Sequence, residues 1–287
     1  MPGDEMEVVK EKARIRRIVQ EAFAAGRTVG LVPTMGYFHQ GHLELMRRAR
    51  AECDLVVVSL FVNPTQFGPG EDLEAYPRDF ERDRGMAQSV GVDYIFNPEP
   101  AEMYPEGFST QVEVEGLSDI LCGAIRPGHF RGVATVVAKL FNIVPAQRAY
   151  FGQKDAQQLA VIKRMAADLD FAVKVVAVGT VREQDGLAMS SRNTYLTERD
   201  RADALVLSRA LRTAAGMIEA GERDAAVVSE AMQGLFDALP SINLEYIAIC
   251  DTIYLQPLEE LHGEVLIAVA ARVGKARLID NMVFEVE

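Results

Sequence analysis

Apolar residues recur along the chain in two alternating styles, one continuous and short, the other spaced three and four apart. Residues 10–25 put Ala13, Ile15, Ile18, Val19, Ala22 and Phe23 at helical spacing, which predicts an amphipathic helix. TVGLVP (28–33) is a short apolar run stopped by Pro33. HLELMRRARAE (42–52) returns to the helical pattern through Leu43, Leu45, Met46 and Ala49. DLVVVSLFV (54–62) is apolar almost throughout, the signature of a parallel strand covered on both faces. The alternation continues with a charged helix near 78–90, VDYIF (92–96), a helix near 131–143, RAYFG (148–152), a helix near 155–169 and VKVVAVGTV (173–181). FSTQVEVEG (108–116) interrupts it with an alternating segment, read as an edge strand or an excursion.

Strand, crossover helix and strand in repetition predict an α/β fold built on a doubly wound, Rossmann-like parallel sheet. After about residue 182 the style changes. REQDGLAMSSRNTYLTERD is polar and loop-like; helices follow near 198–220 and 223–238, then strands near 244–251, 265–273 and 278–286. Helices first and strands afterwards predict a smaller α+β domain. The expected division is therefore 1–182 and 183–287, with the second domain acting as a lid over the first and Gly186 near its hinge.

Composition narrows the class of function. The chain has 287 residues, 42 acids against 30 bases and a formal charge of −12. A field of that sign repels nucleic acid, and it repels a nucleotide as well, so any phosphate site must be built locally from a few basic side chains and helix N-termini. No run approaches the roughly 18 apolar residues of a membrane span. MPGDEMEVVKEKARIRRIVQ lacks the apolar core of a secretory signal, so a cytoplasmic protein is expected. Cys53, Cys122 and Cys250 are odd in number, far apart and in no CxxC pattern, which predicts buried free thiols.

Four segments carry candidate chemistry. In PTMGYFHQGH (33–42) a strand ends at Pro33, a glycine turn follows, and His39-x-Gly41-His42 opens a helix. The spacing of three puts both imidazoles on one side of the first turn, where unpaired N–H groups favour an anion. Imidazoles donating to phosphate oxygens there would stabilise charge at an attacked α-phosphate; a pair of capping histidines would look the same in isolation. GLAMSSRN (186–193) offers Ser190, Ser191 and the fork of Arg192 to a triphosphate. FGQKDAQQ (151–158) supplies Gly152, Lys154 and Asp155, with Gln158 one turn beyond Lys154. SLFVNPTQFGPGEDLEAYPRD (59–79) begins where open α/β sheets place ligands, and Asn63 and Gln66 offer neutral amides to hydroxyls and a carboxylate. Tyr76 and Asp83 read as structural. Arg126, His129 and Arg131 in RPGHFRG (126–132) could face the site or support it. No Cys, His or carboxylate set stands at metal-ligand spacing.

Taken in their order along the chain, these segments resemble the pantothenate synthetase (pantoate–β-alanine ligase) family of the HxGH nucleotidyltransferase-like superfamily. The resemblance rests on PTMGYFHQGH, SLFVNPTQF with AYPRD, RPGHFRGV, YFGQKDAQQL and VREQDGLAMSSRNTYL, and covers residues 10–200 best. It implies a two-step ligation of pantoate and β-alanine through a pantoyl adenylate, with ATP as substrate and Mg2+ arriving on it. Carried over, the ATP site falls on Met35, Gly36, His39, Gly41, His42, Gly152, Gln153, Lys154, Asp155, Val181, Met189, Ser190, Ser191 and Arg192. Of these His42, His39, Lys154 and Arg192 would be catalytic. Pantoate would meet Gln66 and Gln158, with Asn63 beside them, and β-alanine would meet Gln66. The resemblance also implies a homodimer. The chain departs from the family's pattern at Tyr37–Phe38, at Gln40 and at Arg82 beside Asp83. The competing reading is another HxGH nucleotidyltransferase acting on a different small substrate.

Overall fold

The computed structural model of the chain describes residues 6–287. Its elements in chain order are β1 (Glu7–Val9), α1 (Lys12–Ala24), β2 (Val29–Thr34), α2 (Gln40–Glu52), β3 (Leu55–Leu60), α3 (Phe80–Ser89), β4 (Tyr94–Phe96), the single turns α4 (Pro100–Met103) and α5 (Cys122–Ile125), α6 (His129–Ile143), β5 (Arg148–Gly152), α7 (Ala156–Asp168), β6 (Lys174–Val178), α8 (Glu198–Glu219), α9 (Ala225–Asp237), β7 (Ile242–Asp251), β8 (Gly263–Val273) and β9 (Ala276–Val286). Short 3-10 turns lie at Pro64–Gln66, Gln153–Asp155 and Ser191–Tyr195. The chain forms two compact units. One comprises residues up to 152 together with 161–178; the other comprises 153–160 together with 179–287.

In the first unit six strands pair in parallel in the order β1-β4-β3-β2-β5-β6. β3 is buried at every position, as its unbroken apolar run requires. From β2 the chain winds outward through β3 and β4, then returns to lay β5 against the other side of β2 (Gly30 beside Arg148, Leu31 beside Ala149). The winding reverses there, and the crevice beyond the carboxyl ends of β2 and β5 is where such sheets take ligands. α2 covers one face through Leu43, Leu45, Met46 and Ala49, packed with Val32, Val56, Val58 and Tyr150.

Two local features go beyond the apolar pattern. β1 is a strand that its three residues do not announce; pairing with β4 makes it one (Glu7 beside Tyr94). FSTQVEVEG forms no strand ladder among the described residues. It is an excursion, tied at its middle by the Val112 N–H donating to Thr135 Oγ1 at 2.9 Å.

The second unit is an antiparallel sheet, β7-β8-β9, packed against α8 and α9. Leu207, Leu211, Val228, Met232, Ile267 and Val269 fill the layer between them, and side chains of this kind contribute about 1.5–3 kcal/mol each on burial. Thr197 and Asp200 close a reciprocal cap on α8, and Asp224 accepts the Ala226 and Val227 amides at the start of α9. Cys53, Cys122 and Cys250 are buried free thiols. No helix among the described residues is long and apolar enough to cross a membrane.

Candidate active site

The turn leaving β2 is set by a carboxylate from another element. Gly36 and Tyr37 both take left-handed backbone, with φ of 85° and 51°, a conformation that costs a side-chain-bearing residue about 1–2 kcal/mol. Asp83 of α3 holds them there: it is 1% exposed and accepts the Tyr37 and Phe38 N–H groups at 2.6 Å each. A Cβ on Gly36 would stand 3.0 Å from Asp83 Oδ2, so the glycine makes room for the carboxylate. Burial pushes the Asp83 carboxyl above its ordinary value, outweighing the two amides and Arg82. Arg82 lies 5.0 Å over the Tyr37 ring.

That turn delivers the two histidines as a locked pair. His39 caps α2, its Nδ1 accepting the Gly41 N–H at 3.1 Å, while His42 Nδ1 accepts the His39 N–H at 3.3 Å. The rings sit 4.1 Å apart. With both Nδ1 atoms accepting, the neutral tautomer carries its proton on Nε2, so each imidazole presents an N–H donor away from the helix backbone.

After β3, Asn63 caps the 3-10 turn Pro64–Gln66. It is 1% exposed and its amide is engaged: Nδ2 donates to Gln66 Oε1 and Gly132 O, both at 3.1 Å, while Oδ1 accepts from Tyr104 at 2.7 Å and Thr65 at 2.9 Å. Gln66 is thereby oriented, with its Nε2 only 3.1 Å from the weakly accepting sulfur of Met35. From below, His129 Nδ1–H donates to Gln66 O at 2.8 Å and Arg126 forks onto Glu71 at 2.7 and 2.5 Å. Burial pushes the Glu71 carboxyl up, but the Arg126 guanidinium outweighs it and leaves the group below its ordinary value. Gly132 admits no side chain, since a Cβ would meet Thr65 O at 2.4 Å. Arg126 and His129 therefore hold up the backbone of the Gln66 turn.

The remaining candidates, Gly152 at the end of β5 apart, belong to the second unit. Lys154 sits in the 3-10 turn ahead of α7, its Nζ 3.9 Å from Asp155. Asn281 of β9 clamps this turn, Nδ2 donating to Gln153 O at 3.0 Å and Lys154 O at 2.8 Å, and Oδ1 accepting from Gln153 Nε2 at 3.3 Å. Gln158 lies in the first turn of α7, half-buried. The 181–192 segment is a hairpin rather than an open loop. Met189 N–H donates to Val181 O at 2.9 Å and Glu183 N–H to Leu187 O at 2.8 Å, with Gly186 at φ 94° in the bend. Ser190 then caps the 3-10 helix carrying Ser191 and Arg192 by accepting the Arg192 N–H at 3.2 Å, which leaves its hydroxyl proton to donate. Outer groups pin the hairpin: Arg182 to Asp280 at 2.6 and 2.9 Å, Arg201 to Glu183 and Asp185 at 2.7 Å each, and Asn193 to Glu183 at 2.7 Å.

A family model described as pantoate-beta-alanine ligase matches residues 7–283. The chain belongs to that family. It is 57% identical, over 98% of its length and 99% of the relative's, to pantothenate synthetase of Moorella thermoacetica. It is 60% identical to that of Heliobacterium modesticaldum, over 93% and 95% of the two chains. The crystal structure of pantothenate synthetase from Thermus thermophilus superposes with a TM-score of 0.92 at 50% identity, covering 96% of this chain and 99% of that one. Pantoate-beta-alanine ligase from Francisella tularensis, solved with Beta-gamma ATP and Beta-alanine, superposes with a TM-score of 0.78 at 32% identity over 97% of each chain. The doubly wound sheet with a small second sheet is thus the architecture of this ligase family.

Within it, Met35, Gly36, His39, Gly41, His42, Asn63, Gln66 and Gly152 lie in the first unit. Gln153, Lys154, Asp155, Gln158, Val181, Met189, Ser190, Ser191 and Arg192 lie in the second. Sequence reasoning missed Asp280 and Asn281, which fasten the loops of the second set; Asp83, read as structural, holds the turn at Tyr37 and Phe38. The signal for the first two was present: a polar pair inside the apolar run LIDNMVF.

Proposed function

We propose that the chain joins pantoate to β-alanine at the expense of ATP. The pantoate carboxylate attacks the α-phosphate, pyrophosphate leaves, and pantoyl adenylate forms. The β-alanine amine then attacks the activated carbonyl, loses its proton and expels AMP. A carboxylate resists an amine until its oxygen becomes a good leaving group, which is what the first step provides.

The observation that carries this reading is the His39–His42 pair, two imidazoles locked side by side at the start of α2 with each Nδ1 committed as an acceptor, so that any donor each neutral ring offers is its Nε2–H. Fixed donors of this kind act on charge that develops in the transition state and need no reorganisation. Lys154 and Arg192 neutralise phosphate oxygens, and the Ser190 and Ser191 hydroxyls and the Gly41 and Gly152 backbone complete the assigned nucleotide contacts. Gln66 and Gln158 hold pantoate, and Gln66 also reaches β-alanine; the Francisella ligase, solved with Beta-gamma ATP and Beta-alanine, supports the choice of those two substrates. Asn63 acts through Gln66, because its own amide is spent. Among the described residues no three His, Cys, Asp or Glu side chains gather to hold a metal, and both Asp83 oxygens face amides. Mg2+ fits as a ligand of the ATP phosphates, delivered with the substrate. The reading includes a cytoplasmic homodimer, checked by light scattering.

Pyrophosphate release with ATP, Mg2+ and pantoate, followed by β-alanine addition and assay for AMP, tests the proposal. Pantoate-dependent pyrophosphate and then β-alanine-dependent AMP are expected. ATP binding without pantoate-dependent pyrophosphate would return the chain to the wider HxGH transferases with another substrate.

A further inference from the structure

β9 carries two adjacent polar residues, Asp280 and Asn281, each 3% exposed. Burying a carboxylate and an amide is costly unless their polar atoms are met, and well-packed apolar residues serve a sheet at least as well. Here the polar atoms are met, and by loops. Asp280 takes the Arg182 fork and also accepts the Asn281 N–H at 2.8 Å; the same Arg182 donates to Gly186 O at 3.1 Å across the hairpin. Asn281 spends its whole side-chain amide on Gln153 and Lys154. Lys154, Ser190 and Asp280 line one small cleft together with Ala188 and Asn193.

We infer that Asp280 and Asn281 are positioning residues for the phosphate-binding groups, fixing the Lys154 turn and the 190–192 segment at a set separation so that one triphosphate meets both. Neither touches the reacting atoms; they act through Arg182 and through two backbone carbonyls. The inference rests on the reading of Lys154 and Ser190 to Arg192 as phosphate ligands. A displacement of about 1 Å in such a site costs on the order of a hundredfold in rate, and losing one of the two tethers permits part of it.

The test uses the full chain with Asn281→Leu, which matches the side chain in size but donates nothing, and Asp280→Asn, which keeps the shape and removes the charge. Affinity for ATP with Mg2+ is measured by calorimetry, KM for β-alanine by turnover, and the thermal midpoint alongside. Should Asp280→Asn fail to fold, Asn281→Leu carries the test alone. The expected result is ATP binding weakened about tenfold, with KM for β-alanine within about twofold of the parent. Unchanged ATP affinity in the folded variants, while Lys154→Ala weakens it, overturns the inference and leaves the proposed function standing. Unchanged affinity in Lys154→Ala itself removes the phosphate reading and the inference with it. Equal losses for ATP and β-alanine together with a lowered thermal midpoint indicate a merely structural pair, and also overturn it.

Discussion

The turn at 34–42 and the hairpin at 181–192 are assigned to the same nucleotide but are built in different ways. In the first, the donors are fixed by their near neighbours: His39 by Gly41, His42 by His39, with one remote carboxylate, Asp83, beneath. In the second, the charged outer restraints come from other elements, Arg201 from α8 and Asp280 from β9, with Asn193 nearby. A site can therefore be half self-organised and half imposed. The imposed half is the one that distant substitutions should loosen.

The largest expected effect tests the self-organised half. His42→Ala removes one Nε2–H donor and also frees the His39 amide, and turnover should fall roughly 10²- to 10³-fold; steady-state rates at saturating ATP and pantoate measure it. Normal turnover would sink the assigned role. Next, Asp83→Ala leaves the Tyr37 and Phe38 amides buried without an acceptor. At about 1–3 kcal/mol per orphaned group, the loss in a denaturant titration should reach about 2–6 kcal/mol, with activity falling at the same time. A loss under 1 kcal/mol would mean that the turn holds itself. Arg201→Ala, by contrast, cuts a partly exposed network on the imposed half and should cost less than about 1 kcal/mol of stability. Its clearer mark should be faster proteolysis near Gln184, with the His turn unaffected.

The subtlest test separates the halves by pH. Burial raises the Asp83 carboxyl above its ordinary value of 3.8. Between 3.8 and its folded value the native state holds the extra proton, so the Asp83 contribution to stability declines as pH rises through that window. Burial also pushes Asp185 up, but the Leu187 amide and Arg201 outweigh it and leave it lowered. Its contribution is present above 3.8 and is lost as pH falls through its folded value. Carbon-detected NMR of the two carboxyls should show midpoints displaced in opposite directions; displacement in the same direction would contradict the contrast.

The same contrast explains what could be read from the sequence. Apolar spacing located β3 and α2 because their burial is written into six and thirteen consecutive residues. The HxGH turn was legible because its capping partners lie within three positions of each other. β1 was not, since Glu7–Val9 becomes a strand only against β4. The hairpin read as an open loop because the residues that close it, Asp280 and Arg201, follow 98 and 18 positions after Arg182 and Glu183. Asn63 shows what a sequence does not carry: its amide makes four bonds, to Gln66, Gly132, Thr65 and Tyr104, and two of these partners, Gly132 and Tyr104, lie outside its own turn.

The bond from Asn281 to the Lys154 carbonyl spans 127 positions, and this gives the site a history as well as a shape. A ribosome adding about 5–20 residues per second makes the lysine turn some 6–25 s before the amide that will clamp it. During that interval the nascent chain can already hold its parallel sheet and its paired histidines. Its lysine turn, though, waits on a strand not yet translated, so that turn acquires its clamp last.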